Sequence, residues 1–183
     1  MRRAAIIGTL SLAYASAVVA TTGRDAVIEA RQASMKEMAA AAKTIAGMFD
    51  GKRAYDAAAF KAAAETLRAR AGPALIAEFP GTSLGAPSGA KLEIDQARPE
   101  FEALARHIGR LTDALAAKAE QPPAHISDEM RMGSGLVMGG GSLLGKRPGV
   151  AEADPAKLPA EHLLHLILQD CSSCHSKFRQ KVE

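Results

Sequence analysis

The apolar residues of this chain recur at a helical spacing in four separate stretches, and this restricts the fold more than any other feature. The cleanest stretch holds Ile94, Ala97, Phe101, Leu104, Ile108, Leu111 and Leu115. Steps of three and four place these residues on one face of a helix. Pro99 is tolerated only in a first turn, so the regular helix is expected to start near Arg98 and to end before Pro122-Pro123. From Arg24 to Phe49 the rhythm is seven residues long, with Ile28, Met35, Ala42 and Phe49 at one seam position and Arg31, Met38 and Ile45 at the other. Gly51 supplies a stop.

A further helix opens at Asp56, an N-cap residue, with Tyr55 and Phe60 at the spacing of a hydrophobic staple. Phe60, Ala64, Leu67 and Ala71 continue its face until Gly72-Pro73 breaks the pattern. The last stretch runs from about Pro159 to Lys181, with Leu163 or Leu164, Ile167, Cys171, Cys174 and Phe178 along one side. Four amphipathic helices, each burying one stripe, predict an all-α fold: an antiparallel four-helix bundle. Composition agrees. Hydrophobic residues make up 48% of the chain but aromatics only 4%, and much of the apolar content is helix-favouring alanine.

Two regions fall outside this scheme. Residues 1–20 begin with Arg2 and Arg3, continue as an uncharged apolar run from Ala4 to Ala20, and offer small residues for cleavage after Ala17 or Ala20. They read as a removable export signal, too short and Ala/Ser-rich for a span, which leaves residues 21–183 as the mature domain. Taking Arg2 and Arg3 from the 23 basic residues leaves 21 against 20 acidic ones, with no basic block of the kind that binds nucleic acid. Residues 121–158 form a Gly-, Pro- and Met-rich insertion, long for a compact domain. A short helix is expected around Ser127 to Met132, and the segment is expected to cover one flank of the site described next or to form a partner surface. Within it, "GGSLLGKR" at 140–147 approaches a phosphate-binding loop but has Arg147 where Ser or Thr is needed, so it reads as a connector.

The chemistry lies in "CSSCHSKFR", residues 171–179. Cys171 and Cys174 are the only cysteines and His175 follows at once. Structural zinc needs four ligands and finds no second half among the remaining histidines. A redox Cys-x-x-Cys belongs to a βαβ setting, and a disulfide between these positions strains a regular helix. Cys-x-x-Cys-His is instead the pattern for covalent attachment of one haem c. The thiols add to the porphyrin vinyl groups as thioethers, and His175 becomes the proximal iron ligand.

A haem motif on the last helix of such a bundle, together with "RQASM" at 31–35 about 140 residues upstream, resembles the class II cytochromes c, the cytochrome c′ and cytochrome c-556 family of bacterial periplasms. The likeness spans the mature chain, although the insertion is longer and the family's Trp early in the third helix is missing. It implies that Arg31 and Gln32 lie against the haem, where Arg31 pairs with a propionate in forked geometry. It likewise places Phe178 and Arg179 beside the porphyrin and Met35 opposite the sixth coordination site.

If Met35 binds iron, the haem is low-spin and suited to single-electron transfer with periplasmic redox partner proteins. This is the first expectation. The alternative is a five-coordinate, high-spin cytochrome c′ that binds nitric oxide or carbon monoxide over an apolar pocket. A haem peroxidase needs a distal acid–base group that the first-helix seam does not offer, so no enzyme activity is expected. Family members also pair through their first two helices, so a homodimer is a further implication.

Overall fold

In the computed structural model, residues 11–133 and 154–182 are described. The first ten residues of the expected export signal and the "GGSLLGKR" loop, with Met138 before it, lie outside them. Six helices follow in order: α1 (Ser11–Phe49), α2 (Ala57–Arg70), α3 (Pro73–Ala77), α4 (Glu93–Gln96), α5 (Arg98–Ala119) and α6 (Ala160–Phe178). The long helices α1, α2, α5 and α6 form the four-helix bundle that the apolar stripes predict. Among the described residues the only β pairing is an isolated antiparallel bridge between Ala90 and Arg179. No described helix is long and apolar enough to cross a membrane.

Local chemistry sets the helix ends. Asp56 Oδ1 accepts a hydrogen bond from the Ala59 amide at 2.7 Å, and the Tyr55 and Phe60 rings stand 6.0 Å apart as the staple. Gly51, with φ of 70°, closes α1 in the left-handed region where a side chain is disfavoured. Pro99 occupies the first turn of α5, where its missing N–H costs nothing. At its start α1 extends back to Ser11 rather than beginning near Arg24, because nothing upstream in this Ala-rich stretch breaks a helix. The expected helix at 127–132 shrinks to a single 3₁₀ turn, Asp128–Met130.

The core has two parts. The larger contains Met38, Ile45, Phe60, Leu67, Ile108, Leu111, Leu115, Leu163 and Ile167, drawn from all four long helices. The smaller contains Leu75, Phe79, Leu84, Ala90, Ile94, Phe101, Ala105 and Phe178, and lies where the 71–97 connection meets the end of α6. Cys171 packs on the larger cluster and Cys174 on the smaller, so the motif sits at their junction.

The described part of the insertion does not flank that junction. Met130 is buried in the larger cluster and the Met132 amide donates to Glu161 at 2.7 Å. These contacts seat it at the start of α6, some 15 residues before His175, or about 22 Å at 1.5 Å per residue. The expectation that this connection covers the haem motif is thus corrected for residues 121–133. Their apolar side chains follow the larger cluster to the opposite end of α6.

Candidate functional site

A cavity of about 410 Å³ opens between the middle of α1, the 79–90 connection and the last turn of α6. Its walls bring together Arg31, Gln32, Met35, Cys174, His175, Phe178 and Arg179, residues that the sequence separates by more than 140 positions. Seven of the eight expected site residues therefore share one chamber. The eighth, Cys171, lies one turn before Cys174 on α6 and packs on the larger cluster. Phe79 and Phe101 form an aromatic wall with Phe178: their centroids are 5.1 Å apart for Phe79–Phe101 and 5.5 Å for Phe101–Phe178, the latter edge-to-face.

Both thiols are half-buried, unbridged and unactivated. Burial pushes each up to about 11, with the nearby Asp170 carboxylate adding to the effect for Cys171, and Cys171 and Asp170 adding to it for Cys174. A redox or nucleophilic cysteine needs the opposite shift, which stabilises a thiolate. His175 is lowered, first by partial burial of its ring and then by the charge of Arg179, which favours the neutral ring that can donate a lone pair. Among the described residues no cluster of three or more His, Cys, Asp or Glu exists that would hold a bare metal ion.

Haem chemistry fits this arrangement. Two thiols lie three residues apart on one helix, Cys174 lining an aromatic chamber and Cys171 one turn before it, with a neutral imidazole beside Cys174. Among the described residues the chamber wall carries cations at Arg31, Lys36 and Arg179 and no carboxylate. That charge balance suits a ligand that is apolar at its centre and anionic at its edge.

Arg31 is 4% exposed and meets the prediction that an inward guanidinium must be paired. Its partners are neutral and belong to the connection. Nη1 donates to Glu78 O and Ser83 Oγ, both at 3.1 Å, and Nη2 donates to Ser83 O at 3.2 Å and Ser88 Oγ at 2.6 Å. The guanidinium also stacks 4.6 Å from the Phe79 ring centroid. All four terminal N–H groups are thereby used, so the forked propionate contact expected of Arg31 requires surrendering at least one of these bonds. The exposed Gln32, Lys36 and Arg179 line the same cavity with their polar ends less committed.

Met35 is half-buried and packs on the smaller core cluster, one helical turn after Arg31. Sequence reasoning missed the other half of the chamber, Phe79, Ser88, Gly89, Ala90 and Phe101, and Ser83, which holds Arg31 behind it. Phe101 carried a signal as part of an apolar stripe. The serines carried none, because a Gly/Pro/Ser-rich connection has no periodicity to say which hydroxyls turn inward.

A family model described as cytochrome c′ matches residues 26–134, from within α1 through α5, and stops before the cysteine motif. The crystal structure of cytochrome c′ from Thermochromatium tepidum is 26% identical, covering 85% of this chain and 95% of that one, with a TM-score of 0.56. Cytochrome c prime from Shewanella frigidimarina shares the fold at 18% identity, 86% and 97% coverage and a TM-score of 0.59. A ferrous variant from Alcaligenes xylosoxidans with bound NO shares it at 20% identity, 86% and 96% coverage and a TM-score of 0.57. No curated protein sequence matches.

Proposed function

Since this chain belongs to the cytochrome c′ family, whose members carry a covalently attached haem c, we propose that it is an exported haem protein with an open sixth iron position that takes up nitric oxide or carbon monoxide. Bound here, haem supplies a one-electron couple and an iron able to accept such a ligand. Cys171 and Cys174 anchor it through thioethers, and His175 donates from the α6 side. Gln32, Lys36 and Arg179 pair with its acidic edge, with Arg31 stacked on Phe79 behind them. Phe101 and Phe178 exclude water from its face.

The observation that carries this reading is the position of Met35. Its half-buried side chain packs against the smaller aromatic cluster while forming part of the cavity wall, and packing of this kind is a common use of a seam methionine. The three solved structures compared above are cytochromes c′, one of them with bound NO, which supports the open site over the His/Met low-spin carrier expected first from sequence. Among the described residues the chamber has no second histidine and no carboxylate to act as a distal acid or base, which supports a binding role over turnover.

The deciding measurement is the ferric optical spectrum of the wild type and of Met35→Leu. Both are expected to be high-spin and nearly superimposable, with carbon monoxide binding to the reduced forms. A low-spin wild type that Met35→Leu converts to high-spin would overturn the open-site reading. Residues 1–20 serve in this proposal as the cleaved export signal, so the purified periplasmic protein should begin after Ala17 or Ala20. Pairing of two copies through α1 and α2 is the family's arrangement, and sedimentation velocity measures it.

A further inference from the structure

The two sides of the haem cavity are joined by one buried serine. Ser88 is 1% exposed and lies in the connection between α3 and α4. Its Oγ accepts from Arg31 Nη2 at 2.6 Å and from the Ala90 amide at 3.0 Å. Its backbone oxygen accepts from Gln180 Nε2 at 3.1 Å, on the segment that leaves α6 immediately after the haem motif. One residue thus holds the α1 wall with its hydroxyl and the proximal segment with its carbonyl.

Each arm is reinforced. On the α1 side, Arg24 Nη2 donates to the carbonyls of Leu84 at 3.1 Å, Gly85 at 3.4 Å and Ala86 at 2.9 Å, pinning the same connection a second time. On the proximal side, Gln180 N donates to Gly89 O at 2.9 Å and Lys91 N to Phe178 O at 3.0 Å, around the Ala90–Arg179 bridge. The Arg179 amide donates to His175 O at 3.1 Å. A path of hydrogen bonds and short backbone links therefore runs from Arg31, one turn before Met35, through Ser88 to Gln180 and, by the Arg179–Gln180 peptide and the Arg179 amide, to the backbone of His175. The Arg31–Ser88 bond is buried and the Gln180–Ser88 bond partly buried, so breaking either leaves a desolvated polar group.

We propose that Ser88 is a positioning residue that couples the two faces of the haem, so that displacement of the Met35 wall by an incoming ligand is carried to the segment behind His175 and sets the rate of gas uptake. The proposal rests on the open-site reading above for its ligand. Its physical content is an interaction energy between positions on opposite sides of the cavity, which a double-mutant cycle measures.

The test is the carbon monoxide association rate of the reduced holoprotein in four forms: wild type, Ser88→Ala, Gln180→Ala and the double variant. Gln180 is outside the cavity wall, so its substitution acts on the distal side only through the path. Gln180→Ala is expected to change the rate by about threefold or more, in keeping with one hydrogen bond, and to have no effect once Ser88→Ala has cut the path. Ser88→Ala should also move the iron–histidine stretching band of the ferrous protein, which local loosening of the connection leaves in place.

A Gln180→Ala rate equal to wild type overturns the coupling, as does an equal effect of Gln180→Ala in both backgrounds. If Ser88→Ala does not fold, Arg31→Lys cuts the same arm, since an ammonium does not span the four acceptors. Should the reduced wild type prove six-coordinate, the open-site reading falls by itself. The midpoint potentials of the same four proteins then decide the coupling by the same criterion.

Discussion

His107 Nδ1 lies 2.6 Å from Asp170 Oδ2, tying the middle of α5 to the residue just before Cys171 on α6. Both side chains are mostly shielded, at 24% and 19% exposure, so the contact works in a medium where hydrogen bonds to a charged group count. The α5–α6 pairing is one of the two most extensive in the bundle, and this is a polar pin through it.

Asp170→Asn keeps the shape of that pin and removes its charge. A loss of about 1–2 kcal/mol is expected, the usual scale for a partly buried charge-assisted bond. Thermal unfolding at neutral pH measures it, and an unchanged midpoint would show that the pin contributes nothing.

Covalent attachment makes a sharper prediction. In wild type the haem should resist extraction by acidified organic solvent. Cys171→Ala and Cys174→Ala should each retain it through one thioether, and the double variant should lose it. Mass spectrometry of the extracted chains reads all three outcomes, and a haem that extracts from wild type refutes the attachment.

The two core clusters separate stability from site integrity. Phe101 is a wall of the cavity as well as a core residue, whereas Ile108, two turns further along α5, belongs to the larger cluster alone. Phe101→Ala should cost about 3–5 kcal/mol and Ile108→Ala about 2–5 kcal/mol. Only Phe101→Ala should broaden the haem spectrum and speed carbon monoxide entry. Equal spectral effects from both would mean that the clusters are not separate units.

Gly109 is held by close backbone approach. A Cβ there would stand 2.9 Å from the Gly72 Cα, and backbone cannot yield as a flexible side chain can. Gly109→Ala should therefore destabilise by about 1–3 kcal/mol despite the better helix propensity of alanine. A Gly109→Ala protein as stable as wild type would show that α5 and the α2–α3 turn slide apart at no cost.

Glu78 predicts a pH dependence. Burial raises its carboxyl above the usual range and Glu37 adds to the rise, against Ser34, Arg70 and Arg31, which favour the charged form. A group raised in the folded state binds its proton more tightly there than in the unfolded chain. Folding stability is then lost as pH rises through the interval above the ordinary glutamate value. Glu78→Gln should gain on wild type over that interval and match it at lower pH. Denaturant titrations across the acid range test this, and a pH-independent difference would remove Glu78 as the cause.

Much of the site was legible because its signals are local. Cys171, Cys174 and His175 announce themselves by spacing, and Met35 and Arg31 by their place on a seven-residue seam. An arginine on that seam demanded a buried partner, and one exists. Its identity was not legible: Ser83 and Ser88 lie 52 and 57 residues from Arg31 in a connection without periodicity. The same limit hid the seat of residues 121–133, whose apolar content says that they pack but not on what.

By itself the sequence determined the bundle, the starts of α2 and α5 and the attachment chemistry, since apolar period, capping residues and a five-residue motif act over one or two helical turns. The tertiary structure decided which residues share the chamber, that Met35 sits in the aromatic cluster, and that Arg31 is spent on the 78–88 connection. Those outcomes depend on competition for buried donors and apolar surface between segments remote in the chain, and that competition is resolved only when the helices pack.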